Sequence, residues 1–167
     1  MDRAPRPRRR DFLSWRTETT RWADDDVYGH INNAVYFELI DTAVNAHLLA
    51  ATGVDIRRLP AIGVVAEVSC RYFAEMSFPA PVETGLVVER LGRSSVVYRV
   101  GLFQHGIGLP DDEASAEGRF VHVYVDNAGA STNDITGHGL GGSGSRTVVP
   151  VPEVVRRAVE PLLAAPR

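Results

Sequence analysis

The sequence has very little cysteine, with Cys70 as the only one among 167 residues. A single cysteine excludes an internal disulfide and a zinc site built from cysteines. No apolar run approaches the ~18 residues of a membrane-spanning helix. The first residues are basic but lack the apolar core of a signal peptide. Together these absences predict a cytoplasmic protein that has no membrane partner.

A surplus of positive charge is also missing, because the net charge is −3 at pH 7. Proteins that bind nucleic acids usually carry a basic surplus, so we expect no nucleic-acid partner. The only basic cluster consists of five arginines mixed with prolines in the first ten residues. This composition predicts a disordered basic N-terminal tail over residues 1–13.

Three patterns resemble a cofactor or metal site, but the residues around each of them do not meet the requirements of such a site. The run from Gly139 to Gly144 fits G-x-G-x-x-G, but it neither follows a strand nor opens a helix, as a dinucleotide site requires. Asp24, Asp26 and Gly29 have calcium-loop spacing, yet a valine stands where the bidentate glutamate belongs. The five histidines show no paired ligand spacing on one element. The sequence therefore predicts neither a metal ion nor an organic cofactor.

The hydrophobic pattern predicts one α+β domain. Alternation of apolar and polar residues indicates strands, and Asn32 or Asn33 stands where a helix N-terminal cap is expected. Gly53 stands where that helix should end. The predicted elements are strands over 14–22, 62–73, 82–91, 94–104 and 115–126, and helices over 34–51 and 152–164.

Two further segments follow the predicted domain, which covers residues 14–126. Residues 127–147 have the glycine- and serine-rich composition of a flexible loop. This loop is either a disordered insertion or a lid over the substrate. Residues 148–167 are predicted to carry a C-terminal helix that packs on the domain.

The predicted helix over 34–51 is apolar around most of its surface. Its polar residues form one narrow stripe: Glu38, Asp41, Thr42 and Asn45. A helix that is apolar nearly all round is expected to be buried nearly all round. The strands that follow it predict an antiparallel sheet curled around this long central helix.

The most informative stretch runs from Arg21 to Tyr36, directly ahead of the helix. It contains three consecutive aspartates, a glycine, a histidine and two asparagines. A carboxylate can attack a carbonyl or deprotonate water, and the first N–H groups of a helix can hold a developing oxyanion. These are the components of an acyl-transfer site. Within the run we expect Asp25 to be solvated, while Asp24 is either structural or solvated.

The run Asp24-Asp25-Asp26-Val27-Tyr28-Gly29-His30-Ile31-Asn32-Asn33, with Tyr36 on the helix, resembles the signature of the hotdog-fold acyl-CoA thioesterases. The 4-hydroxybenzoyl-CoA thioesterase-like branch, with its D-x-D-x-x-G-H-x-N-N-x-x-Y pattern, is the most similar. The resemblance extends over about residues 14–126. It implies the hotdog fold and an enzyme that hydrolyses an acyl-CoA thioester to free acid and CoA.

The resemblance also implies roles for individual residues. Asp26 would be the nucleophile or the general base, and the backbone N–H of Asn33 would polarise the thioester oxygen. His30 would orient the loop or contact the substrate. Candidate substrate-binding residues are Tyr36 in the acyl pocket, Gly29 and Asn32 in the loop, and Arg93, with Arg90 and Arg119 as further candidates for the phosphates of coenzyme A.

Several alternatives stay open at this stage. Related thioesterases that place the carboxylate on the central helix would point to Glu38 or Asp41 instead of Asp26. A non-catalytic module that binds acyl-CoA or an acyl carrier could have the same fold, and a hydratase or dehydratase is a third option. The resemblance implies a homodimer joined edge to edge through its sheets, with active sites at the interface, or a homotetramer built from such dimers.

Overall fold

The computed structural model describes residues 5–110, 112–127 and 146–164. These residues form five strands: β1 (Ser14–Glu18), β2 (Ala61–Tyr72), β3 (Val82–Leu91), β4 (Ser95–Phe103) and β5 (Ala116–Asp126). The long helix α1 (Asn33–Thr52) lies between β1 and β2, and the short helix α2 (Glu153–Val159) follows β5. The α+β prediction is confirmed, and four of the five predicted strands match the observed bounds to within one residue.

The strands form one antiparallel sheet in the order β1-β3-β4-β5-β2. A tight turn joins β3 to β4, in which the Gly92 N–H donates to the carbonyl of Ser95 at 2.8 Å. β2 and β1 are the outer strands of the sheet, so each has one edge without a partner strand among the described residues. β2 has twelve residues against five in β1, and its middle is exposed.

Helix α1 begins and ends at the residues that the sequence indicates. The side chain of Asn32 accepts a hydrogen bond from the Ala34 N–H at 2.9 Å, which confirms Asn32 as the N-terminal cap. At the other end Gly53 adopts a left-handed conformation with φ 66°, and its N–H donates to Leu49 O. Glycine adopts this conformation without the steric cost that other residues have.

The expectation that α1 is buried nearly all round was wrong for the single chain. One face packs on the sheet, through Tyr36, Ile40, Ala43, Val44 and Leu48. The opposite face is open, and Leu49 is 45% exposed. The reason is that the sheet covers α1 from one side only, while α2 adds a second contact at the far end.

The first strand is shorter than the predicted 14–22, because the chain turns sharply after Glu18. Trp22–Asp24 forms a turn of 3-10 helix. The Asp24 carboxylate accepts from the Arg21 N–H at 2.7 Å, and the Asp24 N–H donates to Arg21 O at 2.9 Å. This reciprocal pair closes the turn and ends the strand.

The prediction of a disordered tail was wrong for residues 5–13. Arg9–Asp11 forms a 3-10 turn, and Phe12 is only 4% exposed. The arginines find acidic and aromatic partners on the domain: Arg9 pairs with Glu83 at 2.6 Å and stacks over the Trp15 ring at 4.1 Å. Composition alone could not reveal these partners, since they lie far along the chain.

Helix α2 packs on α1 and β3, and it is shorter than the predicted 152–164. α2 buries Val155, Ala158 and Val159, and one further 3-10 turn, Glu160–Leu162, follows it. Most of the predicted loop over 127–147 lies outside the described residues. Among the helices that the structure describes, none combines the length and apolarity needed to cross a membrane.

Candidate active site

The loop between the 3-10 turn Trp22–Asp24 and α1 closes on itself through its backbone. The Asn32 N–H donates to Asp24 O at 2.8 Å, and the Asp26 N–H donates to His30 O at 2.8 Å. Gly29 takes the tip of this loop with φ 78°, a conformation that favours glycine. The motif therefore encodes a compact loop that ends at the first residue of the helix.

Asp26 is held in this loop by main-chain donors. Its Oδ1 accepts hydrogen bonds from the Tyr28 N–H at 2.8 Å and from the His30 N–H at 3.3 Å. Its other oxygen, Oδ2, has no hydrogen-bond partner among the described residues. The carboxylate is thus fixed through one oxygen, while the other is available to a substrate or a water.

The start of α1 offers a free hydrogen-bond donor, the Asn33 N–H, seven residues after Asp26. Asn32 accepts hydrogen bonds from the two N–H groups that follow Asn33. Its side chain accepts from the Ala34 N–H, and its carbonyl accepts from the Val35 N–H. Within the described part of the chain, the Asn33 N–H has no acceptor. The first N–H groups of a helix have no partner inside the helix and carry partial positive charge. The Asn33 N–H can therefore donate to an oxygen that becomes negative.

A cleft of about 340 Å³ lies beside this loop and the start of α1. This volume is in the range of small-molecule sites, about 300–1,000 Å³. The predicted residues that line it are Asp26, His30, Asn33 and Tyr36. The sequence reasoning did not name the other lining residues, which are Ile31 in the loop and a run at the end of β2 and just after it: Tyr72, Phe73, Ala74 and Glu75. The two adjacent aromatic residues at the predicted strand end, Tyr72-Phe73, are the signal that could have indicated this run.

Tyr36 serves both the core and the cleft. It is buried, and its ring meets that of Tyr72 edge to face at 4.9 Å. Burial raises the pKa of Tyr36 to about 12, so its hydroxyl stays protonated at neutral pH. Burial also raises the pKa of the Cys70 thiol to about 11, which leaves little thiolate to act as a nucleophile.

His30 reaches a partner that the sequence did not indicate. Its Nε2 lies 3.1 Å from a carboxylate oxygen of Glu75, and both residues line the cleft. The pair connects the loop to the segment after β2. A second connection runs through the backbone, where the Ile31 N–H donates to Met76 O at 2.8 Å.

The other two aspartates of the motif are structural. Asp24 is buried, and although burial opposes ionisation, the hydrogen bonds and charge of Arg21 hold the pKa of Asp24 below its usual range. Asp25 is not the solvated residue that the sequence suggested. It is half-buried and accepts a hydrogen bond from the Phe78 N–H at 3.1 Å.

The remaining candidates lie away from this cleft. Arg93 is exposed in the turn between β3 and β4, at the opposite end of the sheet from Tyr72. Arg90 is exposed on β3, and Arg119 on β5 pairs with Glu67 on β2. Within one chain, the structure therefore does not bring these arginines to Asp26.

The carboxylates of the central helix do not line the cleft either. Glu38 is exposed and lies 3.7 Å from Arg21, and Asp41 accepts a hydrogen bond from Asn45 at 3.1 Å. Glycine 29 and Asn32 shape the loop and the helix start, as described above. Among the described residues, no group of three or more His, Cys, Asp or Glu side chains could hold a metal ion.

Comparisons with known proteins agree with this architecture. The family model described as "Thioesterase superfamily" matches residues 28–110. The PA5185 protein of Pseudomonas aeruginosa is 40% identical, with a TM-score of 0.81 over 98% of this chain and 100% of that one. PA2801, a putative thioesterase from the same organism, is 27% identical, with a TM-score of 0.68 over 88% of this chain and 98% of that one. No curated protein matches the sequence.

A gentisyl-coenzyme A thioesterase is a more distant neighbour. It is 18% identical, with a TM-score of 0.65 over 87% of this chain and 98% of that one. At this identity the likeness concerns the fold alone. The neighbours confirm the hotdog fold, a five-stranded antiparallel sheet with a long helix on one face. The chain belongs to the thioesterase superfamily, whose chemistry is the hydrolysis of thioesters.

Proposed function

We propose that this protein is an acyl-CoA thioesterase that hydrolyses an acyl-CoA to the free acid and CoA. One observation carries the proposal. The Asp26 carboxylate, with one oxygen free, and the unpaired Asn33 N–H belong to residues that line the same cleft. A carboxylate and an oxyanion donor that face one cleft are what acyl transfer from a thioester needs.

The reaction begins when the thioester carbonyl oxygen accepts the Asn33 N–H. In the general-base route, Asp26 takes a proton from water while the water oxygen bonds to the carbonyl carbon. The C–S bond then breaks, and the leaving CoA thiolate takes the proton that Asp26 holds, which regenerates the carboxylate. Loss of one oxyanion donor typically costs about 3 kcal/mol of transition-state stabilisation. The helix start is therefore as important to the rate as the carboxylate.

In the nucleophilic route, an Asp26 oxygen bonds to the carbonyl carbon and the CoA thiolate leaves. The product is a mixed anhydride on Asp26, which water then hydrolyses. The two routes differ in one measurable species. Mass spectrometry after rapid quenching would detect an acylated enzyme in the nucleophilic route and none in the general-base route.

The exposed edge of β2 supports a homodimer as part of this proposal. A long unpaired edge strand is a liability unless another strand covers it. On β2 the apolar side chains of Val65, Val68 and Tyr72 are exposed, and Val65 is 49% accessible. Pairing β2 with the β2 of a second copy would cover these residues. Tyr72 lines the cleft, so each site would then lie beside the partner subunit.

The test is thiol release from acyl-CoAs with short, medium, long and aromatic acyl groups. We expect wild type to turn over at least one of them, and Asp26→Asn to lose at least 100-fold, about 3 kcal/mol of barrier. The matched control is Asp112→Asn, a half-exposed aspartate that pairs with Arg8 at 2.8 Å and does not line the cleft. Near-normal turnover in folded Asp26→Asn would refute the assignment, and Glu38→Gln and Asp41→Asn would then test the helix carboxylates.

The rival function, a module that binds acyl-CoA without hydrolysing it, is an outcome of the same experiment. Tight binding of the acyl-CoA panel with no thiol release would replace the thioesterase proposal. A binding module has little use for a carboxylate with a free oxygen in its cleft, which is why we favour the enzyme.

A further inference from the structure

The segment that precedes β5 holds the cleft wall, which comprises residues 72–75 at the end of β2 and just after it. The Phe73 N–H donates to Ser115 O at 2.8 Å, and the Ala74 N–H donates to the same oxygen at 3.0 Å. Ser115 is buried and directly precedes β5. The position of the wall therefore depends on the position of residues 112–115.

The segment that precedes β5 is paired in turn with the N-terminal segment, which we define as residues 5–12. The Arg9 N–H donates to Asp112 O at 2.9 Å. The Ala114 N–H donates to Pro7 O at 2.9 Å, and both of these residues are buried. Both bonds join main-chain atoms, so they do not depend on the side chains. The N-terminal segment thus lies against the same residues that hold the cleft wall.

Arg6 connects the N-terminal segment to the cleft wall directly. One of its guanidinium nitrogens donates to Phe73 O at 3.4 Å, and the other lies 3.6 Å from a carboxylate oxygen of Glu113. The Arg6 side chain is 34% exposed, so these contacts are partly shielded from water. Hydrogen bonds from a charged donor are stronger than those between neutral groups. A single side chain thus joins the wall to the segment that precedes β5.

An apolar contact connects the N-terminal segment to the same part of the wall. Phe12 belongs to a small buried cluster with Val87, Phe103 and Ala114. Phe73 packs against this cluster and also lines the cleft. Because protein interiors are close-packed, a side chain that loses a neighbour on one side can shift towards the space that is left. The position of Phe73 in the cleft thus depends on Phe12.

We propose that the N-terminal segment is a positioning element of the cleft, in which Arg6 and Phe12 fix the place of Phe73. None of residues 5–12 lines the cleft, so they act through the wall alone. The effect on the substrate rests on the proposed function. A displaced wall would fit the substrate less well, whereas Asp26 would keep the two main-chain donors of its own loop. Arg6 and Phe12 therefore govern substrate affinity more than the rate of the chemical step.

Two substitutions in the full-length protein test the proposal, each with a control at a neighbouring position. Arg6→Ala removes both contacts of the guanidinium, and its control is Arg10→Ala. Arg10 is exposed and has no side-chain partner among the described residues. Phe12→Leu removes the ring but keeps an apolar side chain, and its control is Leu13→Ala, which changes an exposed residue.

Amide hydrogen exchange, followed by NMR, reports on the wall itself. In both variants the Phe73 and Ala74 N–H groups should exchange about fivefold faster than in wild type, because the wall opens locally more often. The Tyr124 N–H is the internal reference, since it donates to Ser94 O at the opposite end of the sheet and should keep its wild-type rate. Unchanged exchange at Phe73 and Ala74, or equal acceleration at Tyr124, would overturn the proposal.

Thiol-release kinetics report on the substrate, with the acyl-CoA that wild type turns over best. Both variants should raise KM about threefold and leave kcat within about twofold of wild type, which is the pattern of binding lost equally in ground state and transition state. The two controls should change neither constant. A lower kcat at unchanged KM, or no change in either constant, would refute the role of the N-terminal segment in substrate binding.

The two readouts keep this proposal distinct from the proposed function. If wild type releases no thiol from any acyl-CoA, the thioesterase proposal fails, and amide exchange alone decides whether residues 5–12 fix the wall. If turnover is normal but exchange at Phe73 is unchanged, the thioesterase proposal stands and the positioning role is refuted. Phe12→Leu also covers the case in which Arg6→Ala does not fold, because each variant tests the same wall independently.

Discussion

The carboxylate of Asp25 accepts a hydrogen bond from the backbone N–H of Phe78 at 3.1 Å, across 53 residues of sequence. The bond joins the loop that carries Asp26 to the segment after β2, which forms the facing wall of the cleft. A residue that looks like one of three similar aspartates thus connects the two sides of the site. The neighbouring Asp24 has a different role, because it pairs with Arg21 inside the loop.

Asp25→Ala should therefore reduce both stability and activity. Loss of the hydrogen bond leaves the half-buried Phe78 N–H without its acceptor, which costs about 1 kcal/mol. We expect a lower free energy of unfolding in urea and a several-fold lower kcat for thiol release, because Asp26 loses part of its positioning. Asp112→Ala is the control, and we expect a change of less than about 0.5 kcal/mol there. Equal effects of the two substitutions would contradict the role of Asp25.

The ordered N-terminal segment can be tested at Phe12. Its ring packs against Trp15 at 6.1 Å and Phe103 at 5.7 Å, and glycines at 85 and 101 make room for it. Phe12→Ala should lower the free energy of unfolding by about 3 kcal/mol, as large-to-small substitutions in a core do. Thermal and urea unfolding measure the change. The exposed Leu13→Ala is the comparison, and a similar small loss in both variants would indicate a tail that contributes nothing.

Glu117 is a buried carboxylate between two arginines. It accepts a hydrogen bond from Arg99 at 2.9 Å and pairs with Arg71 as well. Glu117→Gln removes the negative charge and leaves the largely buried Arg99 uncompensated, so we expect a loss of about 3 kcal/mol in the free energy of unfolding. Glu153→Gln breaks an exposed pair with Arg157 and should change it by less than about 0.5 kcal/mol.

His122 should make stability depend on pH. Burial lowers the pKa of His122 to about 4, against about 6.5 for a solvated histidine, so the unfolded chain binds this proton more readily. The contribution is fully present above pH 6.5 and is lost as the pH falls from 6.5 towards 4. It amounts to about 3 kcal/mol.

Urea unfolding at several pH values measures this dependence. His122→Phe should show a smaller decrease in the free energy of unfolding between pH 6.5 and 4 than wild type does. The carboxylates contribute equally to both proteins, so the difference between the two curves isolates His122. Parallel curves over this range would show that His122 is not buried in its neutral form.

Much of the fold could be predicted because its signals are local. Alternation defined the strands to within one residue in four cases, and Asn32 and Gly53 marked the limits of α1. The motif also identified four residues that line one cleft. These features depend on neighbours in sequence, which a single sequence displays directly.

The features that escaped prediction depend on distant partners. Phe12 is ordered because glycines on β3 and β4 leave space for its ring. Glu75 meets His30 only because the segment after β2 turns back beneath the loop. The exposed face of α1 follows from the position of the sheet, which covers one side only. Periodicity describes which residues are apolar, but it does not describe how much of each the rest of the chain covers.

The loop around Asp26 has one more consequence, for how this enzyme could diversify. Its carboxylate is fixed by main-chain N–H groups at residues 28 and 30, so the side chains at the tip are not needed to aim it. Val27 is 92% exposed and Tyr28 is 81% exposed. Both side chains can therefore be exchanged without moving the carboxylate. Substitutions at these two positions, whether natural or in a directed library, can therefore change the groups that the loop contacts while the position of the Asp26 carboxylate is kept.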